Sequence, residues 1–230
     1  MRKDEERMMK TKKLSMIAGI SVCALIVLIT AVYAILSGAS VSAGSPVLPC
    51  DTEESFAKEA IDWAVENGYM QAELLNGEAY FFPTSVVTKG EIAKILVAYL
   101  ELDVKKYENL TLGFADEEQI PEELLPCVRA ALSFGHLKLF SDYTYRAESS
   151  VSREEIADIF APLCTIHASA GKSENFLDFS EVGAYFEDQV RTLVDLELLI
   201  GYPDGTLRPK NAITREELAL VLYRFDRLEN

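Results

Sequence analysis

The chain has 230 residues, of which 49% are hydrophobic and 26% charged, and this composition excludes a collagen, a coiled-coil rod and a low-complexity tail. The formal net charge is -15. Residues 1–36 hold six Lys or Arg against three Asp or Glu, so the remaining residues sum to -18. Because phosphate recognition requires a basic surface, this charge argues against a nucleic-acid binder, and we expect no nucleic-acid partner.

The N-terminus has the pattern of a membrane-targeting segment. A basic segment, residues 1–13, precedes an uncharged apolar run, residues 14–36. As a helix this run would be about 34 Å long, against a hydrocarbon core of roughly 30 Å, and the basic residues favour a cytoplasmic N-terminus. Two interpretations stay open: a retained single-pass anchor, or a signal peptide that is cut after Ala43 within a linker, residues 37–50. In both, the rest of the chain lies outside the cytoplasm.

A repeated segment accounts for nearly all of the chain beyond the linker. A shift of 62 residues places Thr214-Arg-Glu-Glu217 on Ser152-Arg-Glu-Glu155 without a gap. A third copy lies upstream, where Thr88-Lys-Gly-Glu91 aligns with the same motif. The upstream copy has extra residues at 71–77, which we predict to lie in a loop because extra loop length costs little. The predicted repeats are residues 51–110, 111–172 and 173–230.

Each repeat is predicted to form a helix, a loop and a second helix. Thr88, Ser152 and Thr214 each lie three residues before a Glu and just ahead of apolar residues at helical spacing, which is the pattern of a capping box. One helix pair of this size cannot bury its apolar stripe alone, so the repeats must pack on each other. We therefore predict an all-α fold of three helix-loop-helix repeats in a pseudo-threefold bundle, preceded by an N-terminal transmembrane or signal helix. The first helices are predicted at residues 56–65, 122–132 and 185–194, with a possible break at Pro126.

These motifs resemble the S-layer homology family, whose repeat runs Phe-x-Asp, a helix, Gly-Tyr-Pro-Asp-Gly-Thr-Phe-Arg-Pro, and a Thr-Arg-Ala-Glu helix start. Residues 176–217 match this order strongly, with Gly201-Tyr-Pro-Asp-Gly-Thr-Leu-Arg-Pro209 as the loop. The second repeat matches least, because Leu139 and Tyr143 replace the two loop glycines, so we predict that its turn is built differently. The resemblance implies noncovalent attachment to the bacterial cell wall, through a pseudo-trimer that binds an anionic, pyruvylated secondary polysaccharide on peptidoglycan.

By motif position, the resemblance implies that Lys89, Arg153 and Arg215 bind the polysaccharide. A basic residue directly after a helix cap lies beside unpaired backbone N–H groups, and this arrangement suits a carboxylate. We expect polysaccharide binding first of all in the groove lined by Arg215, because Lys89 lacks the guanidinium fork. The alternative is that Arg153 and Arg215 only pair with neighbouring acids at a helix start. The other residues assigned to polysaccharide binding are Thr88, Ser152, Thr214, Tyr202, Asp204, Gly205, Phe56 and Tyr185.

The sequence contains no recognisable catalytic or metal-binding motif. His136 and His167 have no partner at metal-ligand spacing, and the signatures of hydrolases, metalloproteases and phosphate-binding loops do not occur. Cys50, Cys127 and Cys164 form no disulfide framework, so buried thiols and any single pairing stay open. We predict a nonenzymatic cell-surface protein without metal or cofactor, whose partners are the wall polysaccharide and, through its N-terminal helix, the membrane. The alternative is a membrane-anchored, extracytoplasmic protein-interaction scaffold with drifted repeats.

Overall fold

The computed structural model describes residues 47–165 and 171–229. Within them, no helix is both long enough and apolar enough to cross a membrane. The predicted segments 1–13 and 14–36, and the cleavage position after Ala43, lie outside the described residues. The elements in chain order are α1 (Lys58–Glu66), β1 (Glu73–Leu75), β2 (Glu78–Tyr80), α2 (Lys89–Tyr99), α3 (Leu125–Ser133), α4 (Arg153–Phe160), α5 (Glu187–Asp195) and α6 (Arg215–Glu229), joined by loops and short 3-10 turns.

The second helix of each repeat begins at its predicted cap residue. The cap hydroxyl accepts the backbone N–H of the glutamate three residues on, at 3.1 to 3.3 Å: Thr88 from Glu91, Ser152 from Glu155, and Thr214 from Glu217. At two caps the glutamate carboxylate accepts the cap residue's own N–H, at 2.8 Å for Ser152 and 3.0 Å for Thr214. The carboxylate of Glu91 instead forms an ion pair with Arg215. The capping box therefore forms as predicted in repeats 2 and 3 and in part in repeat 1.

The first helix of repeat 2 begins later than its apolar pattern suggests. Helix α3 starts at Leu125, and Pro126 lies in its first turn. Proline is tolerated there because a backbone N–H in the first turn has no partner within the helix. The break expected at Pro126 is therefore a helix start.

The extra residues of repeat 1 form a β-hairpin, so the prediction of a loop at residues 71–77 is wrong. Strands β1 and β2 pair antiparallel, with Glu73 opposite Tyr80. Asn76 and Gly77 connect them with φ values of 52° and 90°. A two-residue turn with positive φ at both positions matches the twist of the strands, and Asn-Gly is its preferred sequence.

The helices pack between repeats in a closed cycle. Helix α2 of repeat 1 packs on α3 of repeat 2, α4 of repeat 2 packs on α5 of repeat 3, and α6 of repeat 3 packs on α1 of repeat 1. Three buried residues form a ring of backbone hydrogen bonds: Val87 N–H donates to Ile213, Ile213 N–H to Val151, and Val151 N–H to Val87, at 2.9 to 3.0 Å. A threefold bundle requires such a cyclic order, and the pseudosymmetry itself stays a prediction.

The apolar stripes of the second helices form a large part of the core, together with buried residues of the first helices such as Ile61, Val128 and Leu193. Each fully buried Ile, Leu or Phe side chain contributes about 1.5 to 3 kcal/mol to the free energy of folding relative to an exposed one. In a repeat on its own the stripe would face water, so this energy becomes available only when the repeats associate. The stripe residues with no exposed surface are Ile92, Leu96, Ile156, Phe160, Leu218 and Leu222.

Candidate functional site

The segment before each second helix is held by an aspartate near the start of the same repeat. Asp178 accepts the backbone N–H of Leu207 at 2.7 Å and that of Arg208 at 2.8 Å. Asp51 and Asp116 each accept two consecutive N–H groups in the same way, at 2.7 to 2.8 Å. The second donor residue has a positive φ in every repeat: 56° at Phe82, 59° at Arg146 and 54° at Arg208. The sequence pattern contained Phe-x-Asp, but it did not reveal this role of the aspartate.

The turn of repeat 2 has the same construction as that of repeat 3, so the prediction of a different turn is wrong. Gly205 has a φ of 81°, and Tyr143 takes the same place with a φ of 61°. The Gly205 N–H donates to the Tyr202 carbonyl at 3.0 Å, and the Tyr143 N–H donates to the Phe140 carbonyl at 2.9 Å. A non-glycine residue in the left-handed region costs about 1 to 2 kcal/mol, and the hydrogen bonds of the turn offset this cost.

Asp204 binds its own turn. Its carboxylate accepts the Thr206 N–H at 3.0 Å, the Thr206 hydroxyl at 2.5 Å and the Arg208 guanidinium at 2.7 Å. These hydrogen bonds lower the pKa of Asp204 to about 2. Asp204 and Gly205 thus shape the turn, and neither borders the three cavities described next.

Three cavities lie between the repeats, and each is lined by residues of all three. We name each groove after its basic residue. The Arg215 groove has a volume of about 340 Å³, the Lys89 groove about 220 Å³ and the Arg153 groove about 370 Å³. The cap residues Ser152 and Thr214 line none of them. The other predicted binding residues are Thr88 in the Arg215 groove, Tyr185 in the Lys89 groove, and Phe56 and Tyr202 in the Arg153 groove.

Each of the three basic residues forms an ion pair with the capping glutamate of another repeat. The pairs are Lys89 with Glu155 at 2.6 Å, Arg153 with Glu217 at 3.2 Å, and Arg215 with Glu91. The pairs run from repeat 1 to 2, from 2 to 3 and from 3 to 1. The predicted cations therefore all lie in grooves, but each is already neutralised by a carboxylate of the protein.

The two arginines also bind main-chain carbonyls. The Nε of Arg153 donates to the Leu207 carbonyl at 2.9 Å, and its Nη2 donates to the Ile200 carbonyl at 2.5 Å. The Nε of Arg215 donates to the Phe81 carbonyl, and its Nη2 donates to the Gln71 carbonyl, both at 2.7 Å. Only 3% of the Arg153 side chain and 14% of the Arg215 side chain are exposed. Both guanidinium groups thus join repeats to each other, a structural role that the sequence left as the alternative.

The helix N-termini in the grooves do not offer unpaired N–H groups, so that expectation is wrong. The N–H groups of Lys89, Arg153 and Arg215 donate to carbonyls of another repeat at 2.8 to 3.0 Å. The next N–H group of each helix does the same at 2.8 to 3.0 Å, and the third binds the cap hydroxyl. The loop of the neighbouring repeat occupies the places where an anion would bind.

The predicted aromatic residues differ in their availability. Phe56 and Tyr185 are 65% and 60% exposed, at the start of the first helices of repeats 1 and 3. The ring of Tyr202 instead contacts two guanidinium groups. Its centroid lies 4.9 Å from the Cζ atom of Arg153 and 3.9 Å from the Cζ atom of Arg208. Phe56 and Tyr185 therefore present exposed aromatic surface beside a groove, although the Tyr185 ring also contacts the Lys138 ammonium at 5.2 Å, whereas Tyr202 contacts two guanidinium groups.

Comparison with known proteins matches one segment of the chain to a known domain. The fold defines a repeat protein whose units close into a cycle with a groove at each junction. Residues 175–219 match the model of the S-layer homology domain. This match confirms the resemblance to the S-layer homology family that the motifs of this segment predict.

Two relatives come from Acetivibrio thermocellus, and one is named for the cell surface and the other for anchoring. Cell surface glycoprotein 1 is 28% identical over 157 residues, which cover 63% of this chain and 6% of that protein. The cellulosome-anchoring protein is 35% identical over 92 residues, which cover 39% of this chain and 20% of that protein. The chain thus spans a small part of the length of these relatives. At a general level, the domain and the relatives support cell-surface attachment and a structural, noncatalytic role.

Proposed function

We propose that this protein attaches noncovalently to the bacterial cell wall by binding an anionic, pyruvylated secondary polysaccharide on peptidoglycan. The observation that carries the proposal is the S-layer homology domain at residues 175–219, together with a basic residue in each of three inter-repeat grooves. The name of the cellulosome-anchoring relative is consistent with this role. We further propose that the three repeats form one pseudo-threefold bundle, since their helix contacts and central hydrogen bonds follow one cyclic order.

Between them, the grooves present the two kinds of surface that a carboxylated sugar requires. A carboxylate pairs with a cation, and a sugar ring packs against an aromatic face such as those of Phe56 and Tyr185. The residues beyond 36 carry a charge of -18, so the protein as a whole repels an anionic polymer. Binding must therefore depend on short-range contacts within a groove, because salt screens charges beyond about 8 to 10 Å.

We also propose a cell-surface location, in which the apolar run at residues 14–36 enters the cytoplasmic membrane with the N-terminus on the cytoplasmic side. Its support is the uncharged run at residues 14–36 and the basic segment before it. A retained helix would connect the membrane to the wall, whereas cleavage after Ala43 would leave a secreted, wall-bound protein. N-terminal sequencing of the native protein distinguishes the two.

Sedimentation with purified wall sacculi tests the proposed function. The full-length chain in mild detergent is mixed with sacculi before and after acid extraction of the secondary polymer. We expect the protein to pellet only with the unextracted sacculi. Pelleting that is unaffected by extraction, or its absence from both samples, would contradict polysaccharide binding. Pelleting that is lost only when wall proteins are digested would favour the interaction scaffold.

A further inference from the structure

The three grooves share a frame but differ at two places on their walls. The first is the sixth residue of the second helix. The second is the fifth residue after the end of the first helix. In the Arg215 groove these are Lys94 and Gln71, in the Lys89 groove Asp158 and Lys138, and in the Arg153 groove Leu220 and Ile200. The grooves therefore differ in the charged groups at these two places, although their central ion pairs are alike and Glu73 also lines the Arg215 groove.

The Lys89 groove neutralises its own charges. The Lys138 ammonium donates to Asp158 at 2.7 Å and to the Tyr185 hydroxyl at 2.6 Å. Burial lowers the pKa of Lys138, but these hydrogen bonds outweigh burial and leave the pKa raised, so the ammonium stays charged. Lys89 is held by Glu155. An added carboxylate would have to compete with a carboxylate of the protein at both lysines.

The Arg153 groove is apolar at its rim. Ile200 is 41% exposed there, and Leu220 and Pro203 also line the cavity. Its cation, Arg153, is 3% exposed and bound by Glu217 and two carbonyls. This groove offers aliphatic and aromatic surface rather than an available charge.

The Arg215 groove contains an available cation that is not Arg215. The Arg215 guanidinium is bound by Glu91 and by the carbonyls of Phe81 and Gln71. Lys94 lines the same cavity and is exposed. Within residues 47–165 and 171–229 its ammonium has no hydrogen bond or ion pair. A lysine without a carboxylate partner in a groove of about 340 Å³ can accept an anion without breaking a contact of the protein.

We infer that Lys94 is the residue that contacts the ligand carboxylate, and that it makes the Arg215 groove the anion-binding groove of this protein. The inference rests on the proposed function and specifies where and through which side chain the binding occurs. An ammonium group has three donors, and its hydrogen bonds to a carboxylate are among the strong ones in proteins. In this arrangement Arg215 shapes the groove, and Lys94 selects for the charge.

Calorimetric titration of the full-length chain in mild detergent tests the role of Lys94. The probe is the methyl glycoside of a hexosamine that carries a 4,6-pyruvyl ketal, and its methyl ester serves as the uncharged control. We expect Lys94→Gln to raise the Kd of the acid about 10- to 100-fold, because a charge-assisted hydrogen bond is lost. Lys94→Arg should restore most of the affinity, and the ester should bind wild type and Lys94→Gln equally. Lys106→Gln, at an exposed lysine outside the grooves, is the matched control and should leave the Kd unchanged.

The outcomes separate this inference from the proposed function. If the wild type binds neither the acid nor polymer-bearing sacculi, the proposed function fails. If the wild type binds both and Lys94→Gln binds the acid equally well, only the role of Lys94 is overturned. Equal affinity of the wild type for the acid and the ester would also overturn it, and this comparison needs no variant. The Tm of Lys94→Gln should match that of the wild type, since its ammonium makes no hydrogen bond or ion pair within the described residues.

Discussion

Arg153→Ala should destabilise the fold more than substitution of any ordinary surface arginine. The Arg153 side chain is 3% exposed and connects two repeats through Glu217 and the carbonyls of Leu207 and Ile200. Its removal would leave the carboxylate of Glu217, which is 12% exposed, without its cationic partner and would leave two carbonyls without their donor. The loss therefore affects groups that water cannot easily reach.

The expected magnitude follows from that burial. Breaking a buried ion pair by removing one partner costs about 3 to 5 kcal/mol, mainly because the other charge stays buried. For a domain of this size, each 1 kcal/mol lowers the Tm by about 2 to 4 °C. Arg153→Ala should thus lower the Tm by roughly 6 to 20 °C.

Thermal and urea denaturation of the full-length chain in mild detergent, both followed by circular dichroism, measure the Tm and the free energy of unfolding. Arg227→Ala is the matched control, because Arg227 also pairs between repeats 3 and 1, with Glu59 at 3.6 Å, but its side chain is 57% exposed. Such an exposed pair contributes about 0.2 to 1 kcal/mol. A double-mutant cycle with Glu217→Gln isolates the coupling energy. Equal losses for the Arg153 and Arg227 variants, or a coupling energy near zero, would refute the argument.

Three further predictions concern single residues. Tyr143→Gly should raise the free energy of unfolding by about 1 kcal/mol in urea denaturation, because it removes the strain of a positive φ; a loss of stability would show that the tyrosine ring contributes more than its backbone costs. Asp178→Asn should lower that free energy by about 2 kcal/mol, because the amide NH2 that replaces one of the two accepting carboxylate oxygens cannot accept an N–H, whereas an unchanged value would contradict the role of this aspartate. Burial raises the pKa of Glu155, but hydrogen bonds from the Lys89 ammonium and a backbone N–H outweigh it and leave the pKa below its usual 4.5. The stability from Glu155 should therefore be complete above about pH 4.5 and be lost as the pH falls through the lowered pKa, which Glu155→Gln should reveal as a weaker pH dependence of the Tm.

The local features of the fold could be predicted from the sequence because their causes lie within a few residues. Thr88, Ser152 and Thr214 each begin a helix, since a hydroxyl three residues before a Glu satisfies exposed N–H groups at the helix start. The hairpin could also have been found, because Asn76-Gly77 is the strongest short signal for a two-residue turn. The apolar residues around it are few, and the loop prediction neglected that signal.

The contacts between repeats could not be predicted, because their cause is the order in which the repeats pack. The Arg153 motif is compatible with a free cation beside a helix start, and nothing in the local sequence indicates that Glu217 and two carbonyls will occupy it. Lys94 shows the converse case. Its spacing places it on a helix, but only the structure shows that it lines a groove without a partner there.

The turn of repeat 2 shows a different limit of sequence reasoning. Tyr143 replaces a glycine, and intrinsic preference predicts that the backbone avoids a positive φ there. The carboxylate of Asp116 and the hydrogen bonds of the turn hold the conformation in spite of that preference. Tertiary contacts therefore decide the backbone at this position.

The closure of the cycle through the first and last helices affects how the chain acquires its structure. Helix α1 packs on α6, and Ser55 donates to Glu216 at 2.6 Å across 161 residues of sequence. Contacts this distant in sequence form late, because a long loop must first lose conformational entropy. During synthesis, helix α1 of repeat 1 has no packing partner of this kind until α6 has been made. A nascent chain would thus be open to proteases and chaperones until nearly all of the three repeats have emerged.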